Sequence, residues 1–460
     1  MTAEFTPETE ERVRTFLRDV VARDRVPGLA VALVDRDKTV FADGVGARDR
    51  ARNDPATPET LFGIGSTTKS VTALTVLSLV DDGHLSLDDP VVSYLPVAFD
   101  ERVTLHHLLS HTSGAPSNGM ANVLLSRLTG VAELGVPMSD RAEFLAHVNE
   151  AIDERSFEPG SRFHYYASGY TLLGMIIEAV TDSSYRSAVS ERVLDPLGMA
   201  RTTFDREAFD ADPDRMTPYA PSAEGHESAP FPFHDLIDAT GGVLAPVDEL
   251  AAYVRMFLNE GVHEGTRVVS TEAIESMRTI HADTAGEMGV DGYGYALMID
   301  TLAGETLVGH GGDAVVSSGY VGFLPDLGWG VAIGCNTSPP FKLNLLGNAL
   351  LAIVCGETPT DAVPYFGRRA RFAELAGTYE SHRGTKCVRA VPEGARLSLE
   401  IKGMVGSTRV PLVPQSIEPA RVTFDAVQTS ATPMTVEFTE RDGQTELRME
   451  RWHLRRTGSP

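Results

Sequence analysis

Apolar and polar positions change their period several times along the chain, and each change marks an element. Residues 8–23 mix charged and apolar positions at helical spacing and predict an amphipathic first helix. Residues 28–35 and 39–43 read as two short strands joined by the turn Arg36-Asp37-Lys38. Ile64, Val71, Leu74, Val76, Leu77 and Leu79 then predict a buried helix that stops at Gly83. Residues 104–204 read as mainly helical, with breaks at Ser113-Gly114 and Pro159-Gly160, and residues 205–238, rich in Pro, Asp, Ser and Gly, read as a long surface loop over a site. Short apolar strands return at 306–308, 318–324 and 330–334, and a helix over 343–355 closes the unit. Strands at both ends with helices between predict one α/β (α+β) domain whose sheet is made from its two termini.

The segment from Gly356 to Pro364 reads as a boundary, placing domains at 1–358 and 359–460. Beyond Phe372 the pattern is all β: residues 397–401, 422–424, 434–438 and 446–449 alternate with a period of two, most of them separated by Gly or Pro turns. About ninety residues of this kind suit an antiparallel barrel or sandwich.

Composition narrows the function classes. The chain has 460 residues and a formal charge of −24, with 42% hydrophobic and 23% charged residues. It is long enough for two or three domains and a large core. Such an acidic surface repels phosphate backbones and carries no basic cluster, so nucleic acid is not an expected partner; a halophilic source is the expectation for the surroundings. Cys335, Cys355 and Cys387 are far apart, show no metal-ligand spacing and are expected to be buried reduced thiols. The start of the chain shows no apolar signal core, and the longest apolar segment is too short to cross a bilayer. A cytoplasmic protein without membrane partners is therefore expected.

Only five of the 40 basic residues are lysines: Lys38, Lys69, Lys342, Lys386 and Lys402. One of these five stands three residues after a serine at a loop-to-helix junction, Gly65-Ser66-Thr67-Thr68-Lys69. Positions i and i+3 share a helix face, so the hydroxyl and the amine can meet. A serine hydroxyl needs a base to become a nucleophile, and a lysine desolvated by apolar neighbours becomes one near neutral pH. Spacing alone favours an N-cap serine beside a solvated lysine.

Two later segments decide between these readings. In Phe157 through Gly174, tyrosines 165 and 166 follow the Pro159-Gly160 break and lead into an apolar helix; in Val308-Gly309-His310-Gly311-Gly312-Asp313, a strand carries a histidine followed by two glycines. In order and spacing, the three segments resemble the serine penicillin-binding-protein and class C β-lactamase family, whose pattern is Ser-x-x-Lys, Tyr-x-Asn, then Lys-Thr-Gly or His-x-Gly. The segments 104–114, Pro196-Leu197-Gly198-Met199 and Ala239-Thr240-Gly241-Gly242-Val243 resemble its framework, and the likeness covers about residues 10–355.

The resemblance implies a β-lactamase/transpeptidase-like domain followed by a barrel like the lipocalin-like domain of some archaeal peptidases. It also implies roles. Ser66 matches the acylated nucleophile, Lys69 its base and Tyr165 the proton shuttle. His310, Gly311 and Gly312 match the third motif, where a cation supports tyrosine and substrate. The backbone N–H groups of Ser66 and Asp313 fall at the oxyanion positions. One position departs from the pattern: with Tyr165 setting the register, Ala167 replaces the usual asparagine, whereas a shift to Tyr166-Ala167-Ser168 restores a hydroxyl but spoils the flanking alignment.

A cofactor-free serine hydrolase is the resulting expectation, a peptidase or esterase acting on a small-molecule or peptide substrate through an acyl-enzyme, with a homo-oligomer left open as an assembly. The alternatives are a true β-lactamase or D-Ala-D-Ala carboxypeptidase, and a catalytically weak binding protein on the same scaffold. His107 and His111, four apart, have a metal-ligand spacing but lack the metalloprotease glutamate, so a structural role at a helix end is expected, with His111 near the pocket.

Overall fold

The computed structural model describes residues 4–458 apart from 118, 156, 224, 404–405, 427–432 and 442. The chain divides into two compact units, residues 1–356 and 357–460.

The first unit is built on a nine-stranded antiparallel sheet. In chain order its strands are β1 (Gly28–Val34), β2 (Thr39–Asp49), β3 (Asp54–Pro55), β4 (Ala282–Asp283), β5 (Gly292–Tyr293), β6 (Met298–Leu302), β7 (Glu305–Asp313), β8 (Ser318–Leu324) and β9 (Trp329–Cys335). Spatially they run β4-β5-β6-β7-β8-β9-β1-β2-β3. The join of β9 to β1, with Ala32 opposite Ala332, brings the two ends of the unit into one sheet, as the distribution of strand signals predicts.

β1, β8 and β9 are buried along their whole length because helices cover both faces. At neighbouring positions of β9, Gly330 faces Val254 of α5 (Val247–Leu258), while Val331 faces Gly347 of α6 (Leu343–Val354). Strands covered on both sides read as unbroken apolar runs rather than alternating ones, which is why they stand out in the sequence.

Helix α2 (Thr68–Asp81) is buried on every side from Thr68 to Leu79. Its polar side chains must therefore find internal partners. Ser70 Oγ donates to Thr67 O and accepts from the Tyr253 hydroxyl, and Thr72 Oγ1 donates to Ala239 O. α2 packs against α3 (Ala167–Thr181) and α4 (Asp235–Gly241).

The expected loop over 205–238 is instead structured: it holds a helix at Arg206–Ala211 capped by the Asp205 carboxylate, a hairpin of Tyr219–Ser222 with Gly225–Ser228, and the start of α4. Its turn-rich composition reflects the caps and the hairpin turn rather than an unstructured connection. Of the cysteines only Cys335 is buried; Cys355 and Cys387 are half-buried, and all three are free thiols.

The second unit is a closed eight-stranded barrel preceded by α7 (Pro364–Glu374). Its strands are β10 (Gly377–Glu380), β11 (Cys387–Glu393), β12 (Arg396–Lys402), β13 (Ser407–Ile417), β14 (Arg421–Ala426), β15 (Met434–Arg441), β16 (Gln444–Met449) and β17 (Trp452–Gly458), with β10 pairing β17 to close the ring. Tyr379, Leu399, Phe424, Phe438 and Leu454 pack inside it together with Phe372 of α7. Sequence patterning finds β12, β14, β15 and β16 and misses the other four. β13 carries Pro411 and Pro414, and a register shift between Pro414 and Ser416 accommodates the second.

Candidate active site

Ser66 sits in a 3₁₀ turn, Gly65–Thr67, that runs directly into α2. The i, i+3 geometry brings Lys69 Nζ to 3.0 Å from Ser66 Oγ, and the same nitrogen donates to Thr240 O at 2.7 Å. Lys69 is 1% exposed and burial alone lowers its pKa from 10.5 to about 7. Near neutral pH about half of the molecules then carry a free amine with its lone pair available to the serine proton.

Tyr165 lies just before α3, and its side chain lines the same cleft as Ser66. Lys69 Nζ is 5.3 Å from the centre of its ring. Burial pushes the phenol pKa up, and the neighbouring Ser66 hydroxyl offsets only part of that shift. The phenol therefore keeps its proton where the lysine loses one, so the amine is the stronger candidate base and the phenol a relay. Tyr166, by contrast, is buried in the main core and hydrogen-bonds Ser168, so the register that starts at Tyr165 is the one that reaches the serine. Ala167 lines the cleft with only a methyl group, and its carbonyl accepts from Thr240 Oγ1.

The end of β7 forms the opposite wall. Pairing of β6 with β7 stops at Gly309, so residues 310–313 pair with β8 on one side and leave the other edge free of the β6 ladder. Two glycines let this strand end press against the Ser66 turn. A Cβ on Gly312 would lie 1.9 Å from Ile64 O and 2.4 Å from Ser66 N; one on Gly65, whose φ is +52°, would lie 2.5 Å from Asp313 N. The close approach packs the backbone at Gly312 and Asp313 directly against that of residues 64–66. The Asp313 carboxylate is held by Val315 N–H and the Ser338 hydroxyl.

His310 differs from the expected cation. Its ring is fully buried, and burial together with the nearby Lys69 lowers its pKa to about 3, so it is neutral at physiological pH. Nδ1 lies 2.7 Å from Gly311 O, which can only accept, so Nδ1 carries the hydrogen and Nε2 accepts from the Tyr293 hydroxyl at 3.1 Å. Both ring nitrogens are thus committed to the protein.

Two cavities meet at the serine, sharing Ser66, Tyr165 and Asp313. One, of about 250 Å³, is lined by Ser117, Met120, Asn122, Ser168 and Ile237. The other, of about 300 Å³, follows β7 and is walled by Met288, Met298 and Phe341, with Lys342 and Asn344 at its edge.

Sequence reasoning missed Thr240 as the acceptor for Lys69, because a backbone carbonyl leaves no residue-type signal. It missed Tyr293, which needs the β5 position to be known, and Lys342 was noted only as a rare lysine. His107 has a structural role: its Nδ1 accepts from Thr104 N–H at 3.1 Å, closing a capping box on the short helix Leu105–Leu109.

The site thus gathers a buried lysine beside a serine, the close-packed backbone of the Ser66 turn and Asp313, and a strand end that runs past the β6 ladder. The family model described as Beta-lactamase matches residues 13–355, and the chain belongs to that family of serine hydrolases. A second model, the Pab87 octamerisation domain, matches residues 359–455. Among solved structures, the octameric penicillin-binding protein homologue from Pyrococcus abyssi is 34% identical, with a TM-score of 0.90 over 97% of this chain and 100% of that one. A D-stereospecific amidohydrolase from Streptomyces sp. is 25% identical, with a TM-score of 0.62 over 75% of this chain and 99% of its own. Penicillin-binding protein 4 of Amycolatopsis lactamdurans is 30% identical over 78% of this chain and 94% of its own length. Protein flp of Staphylococcus aureus strain MW2 is 30% identical over 213 residues, 45% of this chain and 40% of flp.

Proposed function

We propose that this protein hydrolyses an amide or ester through an acyl-enzyme on Ser66. The observation that carries the reading is Lys69, buried beside the serine hydroxyl with a pKa of about 7. In the proposed cycle the neutral Lys69 amine takes the Ser66 proton as Oγ attacks the substrate carbonyl. The N–H groups of Ser66 and Asp313 hold the oxyanion. Lys69 then returns the proton through the Tyr165 hydroxyl to the leaving group, and the C–N or C–O bond breaks. Water repeats the sequence on the acyl-enzyme, with the same groups taking its proton and restoring Ser66.

The free edge of β7 supports a peptide-like substrate, which would add to it as a short strand. The apolar wall ending at Lys342 and Asn344 supports an apolar side chain flanked by an anionic group. The absence of an amide side chain at Ala167 favours such a substrate over β-lactams, and the Streptomyces relative's D-stereospecific amidohydrolase activity makes D-configured amides the first to try. The octamerisation-domain match and the octameric Pyrococcus relative support a homo-oligomer assembled through residues 359–455.

A fluorophosphonate probe tests the reading: it should label the protein at Ser66, and the Ser66→Ala variant should neither label nor turn over any member of a panel of D- and L-aminoacyl amides, p-nitrophenyl esters and nitrocefin. Folded protein that resists the probe and cleaves nothing in the panel would leave only the binding role. Light scattering on the full chain reads the assembly directly.

A further inference from the structure

We infer that His111 is the positioning residue for the reactive tyrosine, holding Tyr165 in register by bonding the residues on both sides of it. The inference rests on the role proposed for Tyr165.

Three contacts converge on this one residue. Its carbonyl accepts from His164 N–H at 2.8 Å, and its Nδ1 accepts from Tyr166 N–H at 3.1 Å. Its ring lies against the Tyr165 ring, with centroids 4.2 Å apart. The residue before Tyr165 and the residue after it are therefore both tied to His111, and the phenol between them cannot slide without breaking one tie. Tyr170, Tyr293 and Phe163 lie 5.2, 5.0 and 6.0 Å from the His111 ring, and the titratable groups that act on it are Lys69, His310 and His164.

The backbone and the protonation state of His111 both serve this arrangement. Its φ is +56°, a left-handed conformation that a histidine adopts only at a cost. Nδ1 accepts a hydrogen bond, so the neutral ring carries its hydrogen on Nε2, a buried nitrogen without a partner among the described residues. Charging the ring would put a proton on Nδ1, expel the Tyr166 N–H and bury a second cation near Lys69; full burial opposes it. His111 is thus built to stay a neutral acceptor.

A further tie on the same loop comes one residue beyond Tyr166, where Ala167 O accepts from Thr240 Oγ1.

Asparagine separates the acceptor from the ring. It tolerates positive φ, and its Oδ1 can take the place of Nδ1, so His111→Asn should acylate with the fluorophosphonate probe within about threefold of the parent. His111→Phe keeps an aromatic ring but has no acceptor and should slow labelling by about 10–100-fold, the scale expected when a reacting group is displaced by a fraction of an ångström to 1 Å. On a Tyr165→Phe background, His111→Phe should slow labelling no further. If His111→Phe does not fold by circular dichroism, His111→Ala takes its place in the cycle.

Phe or Ala variants as fast as the parent, Asn as slow as Phe, or full additivity with Tyr165→Phe would each overturn the inference. If Tyr165→Phe itself labels at the parental rate, the role proposed for Tyr165 fails, and the positioning role with it. If Tyr165→Phe is slow while the His111 variants are not, only the positioning role fails.

Discussion

Replacing Lys69 with methionine should abolish activity and yet stabilise the hydrolase unit at neutral pH. A lysine whose pKa falls from 10.5 to about 7 on folding is protonated in the unfolded chain and half-neutral in the folded one at pH 7. At 1.36 kcal/mol per pKa unit, that difference costs the fold roughly 4 kcal/mol at pH 7. Methionine fills a similar volume with no charge to desolvate, but it leaves Thr240 O without its donor at a cost of about 1–3 kcal/mol. The net expectation is a gain of about 1–3 kcal/mol.

The sign with pH is fixed by the direction of the shift. Between about 7 and 10.5 the unfolded chain binds the proton that the folded chain does not, so the stability of the parent rises with pH while that of the variant does not share the rise. The advantage of Lys69→Met should therefore shrink through that window and, near pH 10.5, give way to the lost hydrogen bond. Urea titrations of parent and variant at pH 7, 8.5 and 10, with unchanged m-values, measure it. A variant less stable than the parent at pH 7, or a gap that stays constant with pH, would refute a desolvated lysine.

Other consequences follow from the same geometry. Because the base must be neutral, kcat/KM should rise with pH along a limb with an apparent pKa near 7, about tenfold per unit below it. A limb governed by His310 is not expected, because burial keeps that ring neutral down to about pH 3. Gly312→Ala would place a methyl against the backbone of Ile64 and Ser66; acylation should fall by about 10²–10³-fold, as when an oxyanion donor is lost, with probe kinetics as the readout. Lys342→Met should raise KM by about 1.5–5-fold for substrates carrying a carboxylate and leave their amidated counterparts unchanged, since Lys342 is exposed; equal effects on both would remove Lys342 from recognition.

Local pattern alone was enough for a good part of this protein. The run of apolar residues after Lys69 makes a buried helix inevitable, because a segment without a polar face has nowhere to lie but the core. β8 and β9 are legible for the same reason, and the Ser66 to Lys69 spacing is legible because i, i+3 is a property of one helix turn. β13 was not, since its prolines speak against a strand until the bulge that accommodates one of them is seen.

What only the tertiary structure decided is the chemistry of each side chain. Nothing within residues 66–69 tells how far Lys69 is desolvated, or that a carbonyl 171 positions away holds its nitrogen. His310 looks like a cation in its motif and is neutral because the fold buries it beside another base. His111 looks like part of a helix end and instead grips both neighbours of Tyr165. Residue type and spacing are carried by the chain itself, but burial, and with it protonation state, is set by neighbours that arrive from distant segments.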